Sequence, residues 1–202
     1  MPTQTDRRIV RTKSALKEAL VELMTDKPFR SITITEICRQ ANYNRGTFYA
    51  HYQHKDDLLE EIMNDTIQGF MSAFRKPYEN KDQLQVDLLT HHTIKIFHYV
   101  EANRPIFSLL LDRESNTGFQ ERLCQSIQHM LLHEFQFHFP EEQKEIDMNL
   151  YVYHHSYALI GILMYWVTGG FRYSSGYMAE QLLYIVNSDR QNLVSIKIER
   201  RS

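Results

Sequence analysis

One polar run between positions 44 and 55 carries side chains that could bind a polyanion. Hydroxyl, amide, imidazole and ammonium groups donate hydrogen bonds to phosphates, and a guanidinium also reaches base edges. The run contains Asn44, Arg45, Gly46, Thr47, Tyr49, His51 and Lys55. A glycine inside a helix costs about 1 kcal/mol relative to alanine, and one reason to keep it is close approach of another backbone, such as a DNA strand.

Two short helices joined by a tight turn are predicted to position this run. Thr33 and Glu36 have the spacing of a capping box at a helix start. Asn42 tolerates a left-handed backbone, which predicts a turn over 41–43. Asn44 can then cap a second helix over about 45–50, with Phe48 and Tyr52 facing inward.

Longer amphipathic helices are predicted on both sides, over about 9–24 and 55–74. Lys55 lies at the start of the second, where its charge opposes the helix dipole, a cost easier to understand if an anion docks there. Ten Lys or Arg against four acidic residues give 7–55 an excess of six positive charges. The pattern is typical of a basic helix-turn-helix.

Composition favours a mostly helical protein. Seven glycines and five prolines are about 6% of 202 residues, roughly half the usual share. Two cysteines and no apolar leader favour a cytoplasmic location. The longest apolar stretch, 157–171, is shorter than the roughly 20 residues of a membrane span, so no membrane association is expected.

The remaining chain also predicts helices, which gives an all-α fold with about nine helices. The predicted spans are 81–102, 105–112, 119–137, 145–167 and 175–187. We divide the chain into an amino-terminal domain over 1–75, with its core at 8–68 and the helix-turn-helix at about 31–50, and a helical domain over 76–202.

Residues 8–68 resemble the DNA-binding domain of the TetR family of transcriptional regulators. The matching runs are 32–38, 41–52 and 55–59. Asn42 replaces the family's usual glycine, and His54 replaces its usual Ser or Asn cap. The resemblance implies base contacts from Asn44, Arg45 and Gly46, and phosphate contacts from Thr33 or Thr35, Thr47, Tyr49, His51 and Lys55.

Residues 157–167, 169–171 and 174–183 are similar to the carboxy-terminal domain of one TetR-like branch. The resemblance implies that the last two long helices pair with their twins in a two-fold homodimer, and we assign the interface to Gly161, Met164, Met178 and Leu182. Gly161 either permits close helix approach there or accommodates a large core neighbour within one subunit. Dimerisation would set two recognition helices about 34 Å apart, or a multiple.

The same resemblance implies a small-molecule effector pocket in the carboxy-terminal domain. We assign the pocket to aromatic residues with polar tips, which need partners when buried: Tyr99, Tyr153, Tyr157, Tyr165 and Trp166. The alternative is that these rings simply fill the core.

We expect neither an enzyme nor a metal or cofactor site. His129 and His133 share a helix face with Cys124 or Glu134 nearby, but a zinc site needs three or four ligands in register. No nucleophile elbow, phosphate loop or His-Glu-x-x-His motif occurs.

The leading hypothesis is a homodimeric transcriptional repressor that binds a pseudo-palindromic operator and is released by an effector. The alternative is a coactivator that acts through a protein partner.

Overall fold

A computed structural model describes residues 4–76, 94–112, 117–135 and 146–188. Within these ranges the fold is all-α, without strands, as the sequence predicts. The nine described helices are α1 (Gln4–Asp26), α2 (Ile34–Gln40), α3 (Arg45–Tyr49), α4 (Lys55–Arg75), α5 (Ile96–Ala102), α6 (Arg104–Leu110), α7 (Phe119–Glu134), α8 (Met148–Thr168) and α9 (Ser175–Ser188). A 3-10 turn, Phe29–Ser31, lies between α1 and α2.

Helices α1 to α4 share a core of fully buried side chains. Leu16 and Leu20 of α1, Ile37 of α2, Phe48 of α3 and Leu58 of α4 have no exposed surface. These residues recur at helical spacing, so each helix turns one apolar face inward. The predicted inward orientation of Phe48 and Tyr52 is confirmed.

A Schellman turn joins α2 to α3. Asn42 has φ of 57°, so the predicted left-handed residue is confirmed. Its N–H donates to the carbonyl of Arg39, and the N–H of Tyr43 donates to the carbonyl of Cys38. These two bonds satisfy carbonyls that the end of α2 would otherwise leave unpaired.

Helix α4 begins without a favourable capping residue, and Asp57 compensates. Its Oδ2 atom accepts hydrogen bonds from the backbone N–H of Gln53 at 2.9 Å and of His54 at 2.8 Å. A carboxylate in the first turn is also favoured by the helix dipole. His54 stands in place of the usual Ser or Asn cap, and the sequence did not predict that Asp57 would accept these two hydrogen bonds.

Ion pairs connect α4 to α1. Lys13 and Lys17 both bind the carboxylate of Glu61, at 2.8 and 2.6 Å, and Lys17 also binds Asp65 at 2.5 Å. Burial alone would raise the pKa of Glu61, but hydrogen bonds from the two lysines outweigh burial and lower that pKa to about 2.

The carboxy-terminal helices pack around the same α4. Tyr99 of α5 lies directly against Gly69 of α4, so a Cβ atom added at Gly69 would collide with the phenol. The Tyr99 hydroxyl donates to the carbonyl of Thr66 at 3.2 Å. Trp166 of α8 is 1% exposed, contacts Phe97 edge to face, and donates its indole N–H to the carbonyl of Tyr173. Buried side chains form one cluster across both halves of the chain.

The sequence places most described helices within a few residues of their observed ends. The helix predicted over 81–102 is described only from 94, where α5 covers Ile96–Ala102. Most of that prediction, together with the tail after 188, lies outside the described residues. The division at residue 75 stays a prediction. Among the described helices, none is both long and apolar enough to span a membrane.

We predict that the left-handed turn at Asn42 restricts which residues this position accepts. Asn42→Val should lower the free energy of unfolding by about 1–2 kcal/mol, because a branched side chain strains this backbone, whereas Asn42→Gly should be nearly neutral. Urea titrations at one protein concentration measure both variants. Equal stability of the valine and glycine variants would contradict the turn.

We also predict an acid-sensitive contribution from Glu61. Its pKa in the folded protein, about 2, lies below its ordinary value of 4.5, so its stabilisation is present above pH 4.5 and is lost as the pH falls towards 2. Glu61→Gln should therefore flatten the decline of unfolding free energy across that interval. Glu18→Gln, at an exposed position of α1, should keep the wild-type slope in the same urea titrations.

Candidate nucleic-acid interface

Helix α3 turns a polar surface outward while Phe48 anchors it from behind. Arg45, Gly46 and Tyr49 are exposed, and Phe48 is fully buried. The ring of Phe48 packs against the ring of Tyr52 with centroids 5.6 Å apart. A five-residue helix is too short to be stable alone, so this burial fixes the direction of its exposed side chains.

Arg45 and Tyr49 form a preorganised pair on that surface. Nη2 of Arg45 donates to the phenol oxygen of Tyr49 at 3.1 Å, and the guanidinium lies 5.7 Å from the ring centre. The two residues are four apart, the spacing that brings side chains together on one helix face. The pair presents a guanidinium and a phenol hydroxyl side by side on the exposed face of α3.

Asn44 caps α3 and also limits what Gly46 can become. Its Oδ1 atom accepts from the backbone N–H of Thr47 at 2.8 Å and from the Thr47 hydroxyl at 3.1 Å, so the predicted cap is confirmed. Asn44 is exposed, and its side-chain amide nitrogen takes no part in these two hydrogen bonds. A Cβ on Gly46 would lie 3.2 Å from the Asn44 oxygen, so alanine there presses on the cap.

The start of α2 confirms the predicted capping box. Thr33 Oγ1 accepts from the N–H of Glu36, while the Thr33 N–H and hydroxyl both donate to the Glu36 carboxylate. The hydrogen bond from Lys27, reinforced by those from Thr33, lowers the pKa of Glu36 to about 2. The Thr33 hydroxyl therefore already donates its proton to the Glu36 carboxylate. Thr35 is exposed to solvent.

Lys55 has a partner set that the sequence did not predict. Its ammonium donates to the carbonyls of Phe29 at 2.8 Å, Arg30 at 3.0 Å and Ile32 at 2.8 Å, and lies 4.6 Å from the ring centre of Phe29. An ammonium has three donors, and these three carbonyls satisfy all of them. The sequence predicted an anion beside this ammonium, but the structure shows backbone carbonyls at the end of the 3-10 turn bound to it instead. We therefore omit Lys55 from the proposed phosphate contacts.

Two other residues near the interface have simpler surroundings. His51 is half-buried at the end of the α3 segment, and its ring packs edge to face on Tyr52. Cys38 is 3% exposed, and burial raises the pKa of its thiol, which suits a packing role.

The structure does not bring the five residues assigned to an effector pocket together. Tyr99 lies between α4 and α5, and Trp166 is enclosed in the core. On α8, Tyr153 and Tyr165 are 56% and 63% exposed, and Tyr157 bonds Glu121 of α7. Tyr165 and Trp166 line one cavity of about 90 Å³, which does not include the other three.

The residues assigned to a dimer interface divide into two groups. Gly161 is exposed, and no atom of the described residues lies within 4 Å of a Cβ atom added there. Among the described residues, the alternative that Gly161 accommodates a large core neighbour is therefore wrong. Met164 and Leu182 are half-buried. Met178 is 5% exposed and belongs to the core of the single chain, so we leave it out of the proposed interface.

Sequence reasoning missed a groove of about 450 Å³ between α4 and α7. Its lining is Asn64, Ile67, Gln68, Met71, Arg75, Arg122, Gln125, Ser126, His129 and Met130. Polar residues recur every three or four positions on both helices, but an ordinary solvated helix face has the same pattern. Only the pairing of the two helices reveals the groove.

The rings of His129 and His133 lie 4.4 Å apart on α7. Over the described ranges, no cluster of three or more His, Cys, Asp or Glu side chains could hold a metal ion. Burial raises the pKa of the nearby Cys124 thiol.

Comparison with protein-family models assigns both halves of the chain. Residues 16–62 match the model described as bacterial regulatory proteins, tetR family. Residues 87–188 match the model described as transcriptional regulator C-terminal region. The first match contains α2, α3 and the start of α4, and the second contains α5 to α9.

The chain is similar to curated regulators. It is 26% identical over 178 residues to YxbF, an uncharacterized HTH-type transcriptional regulator of Bacillus subtilis strain 168, covering 88% of this chain and 45% of that protein. It is 23% identical over 95 residues to the HTH-type transcriptional regulator UidR of Escherichia coli K12, covering 47% of each. The chain spans about half the length of the curated relatives it matches.

Solved structures share the fold over nearly the whole chain. A TetR-family regulator from Syntrophomonas wolfei has a TM-score of 0.65 at 14% identity, covering 92% of this chain and 98% of that one. The dihydroxyacetone kinase operon activator DhaS has a TM-score of 0.61 at 15% identity, covering 88% and 95%. A TetR regulator from Streptococcus agalactiae has a TM-score of 0.58 at 23% identity, covering 90% and 97%.

We predict that Lys55 stabilises the fold through its three carbonyl contacts. Lys55→Met should lower the free energy of unfolding by on the order of 2 kcal/mol, because hydrogen bonds to a charged donor are lost while the aliphatic stem is kept. Arg39→Met, at an exposed site on α2, is the matched control and should change little. Equal values for the two variants in urea titrations would contradict the role assigned to Lys55.

Proposed function

The chain belongs to the TetR family of transcriptional regulators, and from that premise we propose that it is a cytoplasmic homodimeric repressor that binds a pseudo-palindromic DNA operator. A small-molecule effector releases it from that operator. The observation that carries the proposal is the preorganised Arg45–Tyr49 pair on the exposed face of α3.

The exposed side chains of α3 have the chemistry of major-groove recognition. A guanidinium binds guanine edges through two parallel hydrogen bonds, and an amide nitrogen donates to base acceptors. We assign base contacts to Asn44 and Arg45, with Gly46 allowing close approach of the DNA. We assign phosphate contacts to Thr35, Tyr49 and His51, whose donors face solvent or are only half-buried.

Thr33 and Thr47 contribute to this surface indirectly. Both hydroxyls donate to side chains that cap their own helices, Glu36 and Asn44. Their first role is to fix where α2 and α3 begin, and a phosphate contact from either would have to share that hydroxyl. The surface that contacts DNA is therefore centred on 44–49.

The apolar surface left exposed on α8 and α9 supports the homodimer. Leu150 and Tyr165 of α8 are 70% and 63% exposed, and Tyr184 and Ile185 of α9 are 60% and 47% exposed. Exposed apolar patches on soluble proteins are typical of interaction sites. Gly161 lies on the same exposed side of α8 and would allow close approach of a partner helix.

Helix α4 offers a connection between an effector and the DNA-binding surface. Its first turn binds the segment before α2 through Lys55, and its later turns contact α5 and α7. An effector controls binding only if its affinity differs between the two arrangements of the DNA-binding domains.

Operator binding tests the proposal directly. Fluorescence anisotropy would measure affinity for DNA fragments that tile the intergenic regions beside the gene, at two salt concentrations. We expect tight binding to one short fragment, weakened at least about fivefold by Arg45→Ala, because a bidentate contact to a base contributes about 1–3 kcal/mol.

Arg172→Ala is the matched control, because Arg172 is exposed, lies outside α1 to α4, and its replacement removes the same charge. It should bind the fragment as the wild type does. Equally weak, salt-dependent binding of every fragment by all three proteins would count against operator recognition by α3.

A further inference from the structure

The groove between α4 and α7 has a defined beginning and end. Arg122 of α7 bridges to Glu60 at 2.8 Å and Asn64 at 2.7 Å near the start of α4. Arg75, at the end of α4, bridges to Glu134 at the end of α7 through Nε and Nη2. The two helices therefore run in the same direction, and Asn64 and Arg75 are about 16 Å apart along α4 at 1.5 Å per residue.

The lining of the groove combines an apolar floor with polar walls. Ile67, Met71 and Met130 are buried, while Gln68 and Gln125 are exposed at the mouth. Such a site buries an apolar ligand body and fixes its orientation through a few polar groups.

The charged residues that line the groove are both arginines. Their acidic partners, Glu60 and Glu134, lie outside the lining. Arg75 binds both oxygens of the Glu134 carboxylate, so its charge is paired in a bidentate ion pair. Arg122 donates one N–H of Nη1 to a single Glu60 oxygen and one of Nη2 to the neutral Asn64 amide oxygen, and within the described residues no hydrogen bond uses its other three N–H groups.

We propose that this groove binds a small organic anion, with an acidic group on Arg122 and an apolar body against Ile67, Met71 and Met130. The inference rests on the proposed control by an effector and names its site and chemical class. A carboxylate and a phosphate monoester both fit a guanidinium, so the shared requirement is an anionic oxygen pair at one end of the molecule.

The position of Arg122 gives the site a route to the DNA-binding domain. Glu60, which Arg122 binds, is next to Glu61, which binds Lys13 and Lys17 of α1. An acid that recruits the guanidinium changes how α7 holds the first turns of α4. The bound anion would thereby favour one arrangement of α4 over another.

The test uses the full chain without DNA, so its failure is distinct from a failure of operator binding. Calorimetric titration with hexanoate and hexyl phosphate, against hexanol and hexylammonium, separates the acidic group from the apolar body. We expect saturable binding of at least one acid and at least tenfold weaker binding of hexanol and hexylammonium. Hexanoate binding with no hexyl phosphate binding identifies a carboxylate site, and the reverse a phosphate site.

Two variants locate the binding. Arg122→Gln should weaken binding of the acid at least tenfold, and Gln68→Trp should block it by filling the mouth while leaving Arg122 in place. The matched controls are Arg172→Gln and Gln120→Trp, at exposed positions outside the groove lining. Both controls should bind the acid as the wild type does.

Thiol protection provides a second measurement that does not depend on removing Arg122. Both native cysteines are buried, so a thiol introduced by Gln125→Cys at the mouth can be modified selectively. Saturating acid should slow its modification at least fivefold, but not that of Gln120→Cys. No saturable binding by either acid, equal binding of hexanol, or unchanged binding by both groove variants would overturn the proposal.

Discussion

The ammonium group of Lys55 determines how α2 and α3, which carry the proposed DNA-binding surface, are attached to α4. This ammonium binds three carbonyls from the segment that precedes α2, and Lys55 is the first residue of α4. The orientation of α2, and through the turn at Asn42 that of α3, is therefore set relative to the start of α4. A shift of α4 that preserves these three bonds must carry the 3-10 turn with it.

Helix α4 is then held from two further sides by charged contacts. Lys13 and Lys17 of α1 bind Glu61, and Arg122 of α7 binds Glu60. Adjacent positions on a helix point about 100° apart, so neighbouring carboxylates serve different partners. Partly exposed ion pairs contribute little stability each, and their geometry matters more here than their energy. They define which helices must move together when one of them moves.

The amino-terminal half of the chain could be predicted closely from sequence because its signals are local. The capping box at Thr33 and Glu36, the left-handed Asn42 and the cap at Asn44 each involve residues within five positions of one another. The role of Lys55 could not be predicted this way, since its partners lie 23 to 26 residues earlier in the chain. A lysine at a helix start has the same local pattern whether it binds DNA or its own backbone.

The carboxy-terminal half shows the opposite limit. Helix positions followed from apolar spacing, yet the aromatic residues expected to converge on a pocket divide between the core and the surface, as Trp166 and Tyr165 do at adjacent positions. The groove that the structure contains depends on α7 lying parallel to α4, and no local pattern specifies which two helices become neighbours. The abundance of aromatic residues in this half of the sequence therefore could not locate a binding site.

The contact between Tyr99 and Gly69 has a consequence for how this sequence can vary. The phenol occupies the space that any side chain at position 69 would need, and its hydroxyl reaches the carbonyl of Thr66 only because that space is empty. A larger residue at 69 is compatible with this packing only if a smaller one stands at 99. Across natural variants that keep α4 and α5 in contact, the two positions should change as a pair.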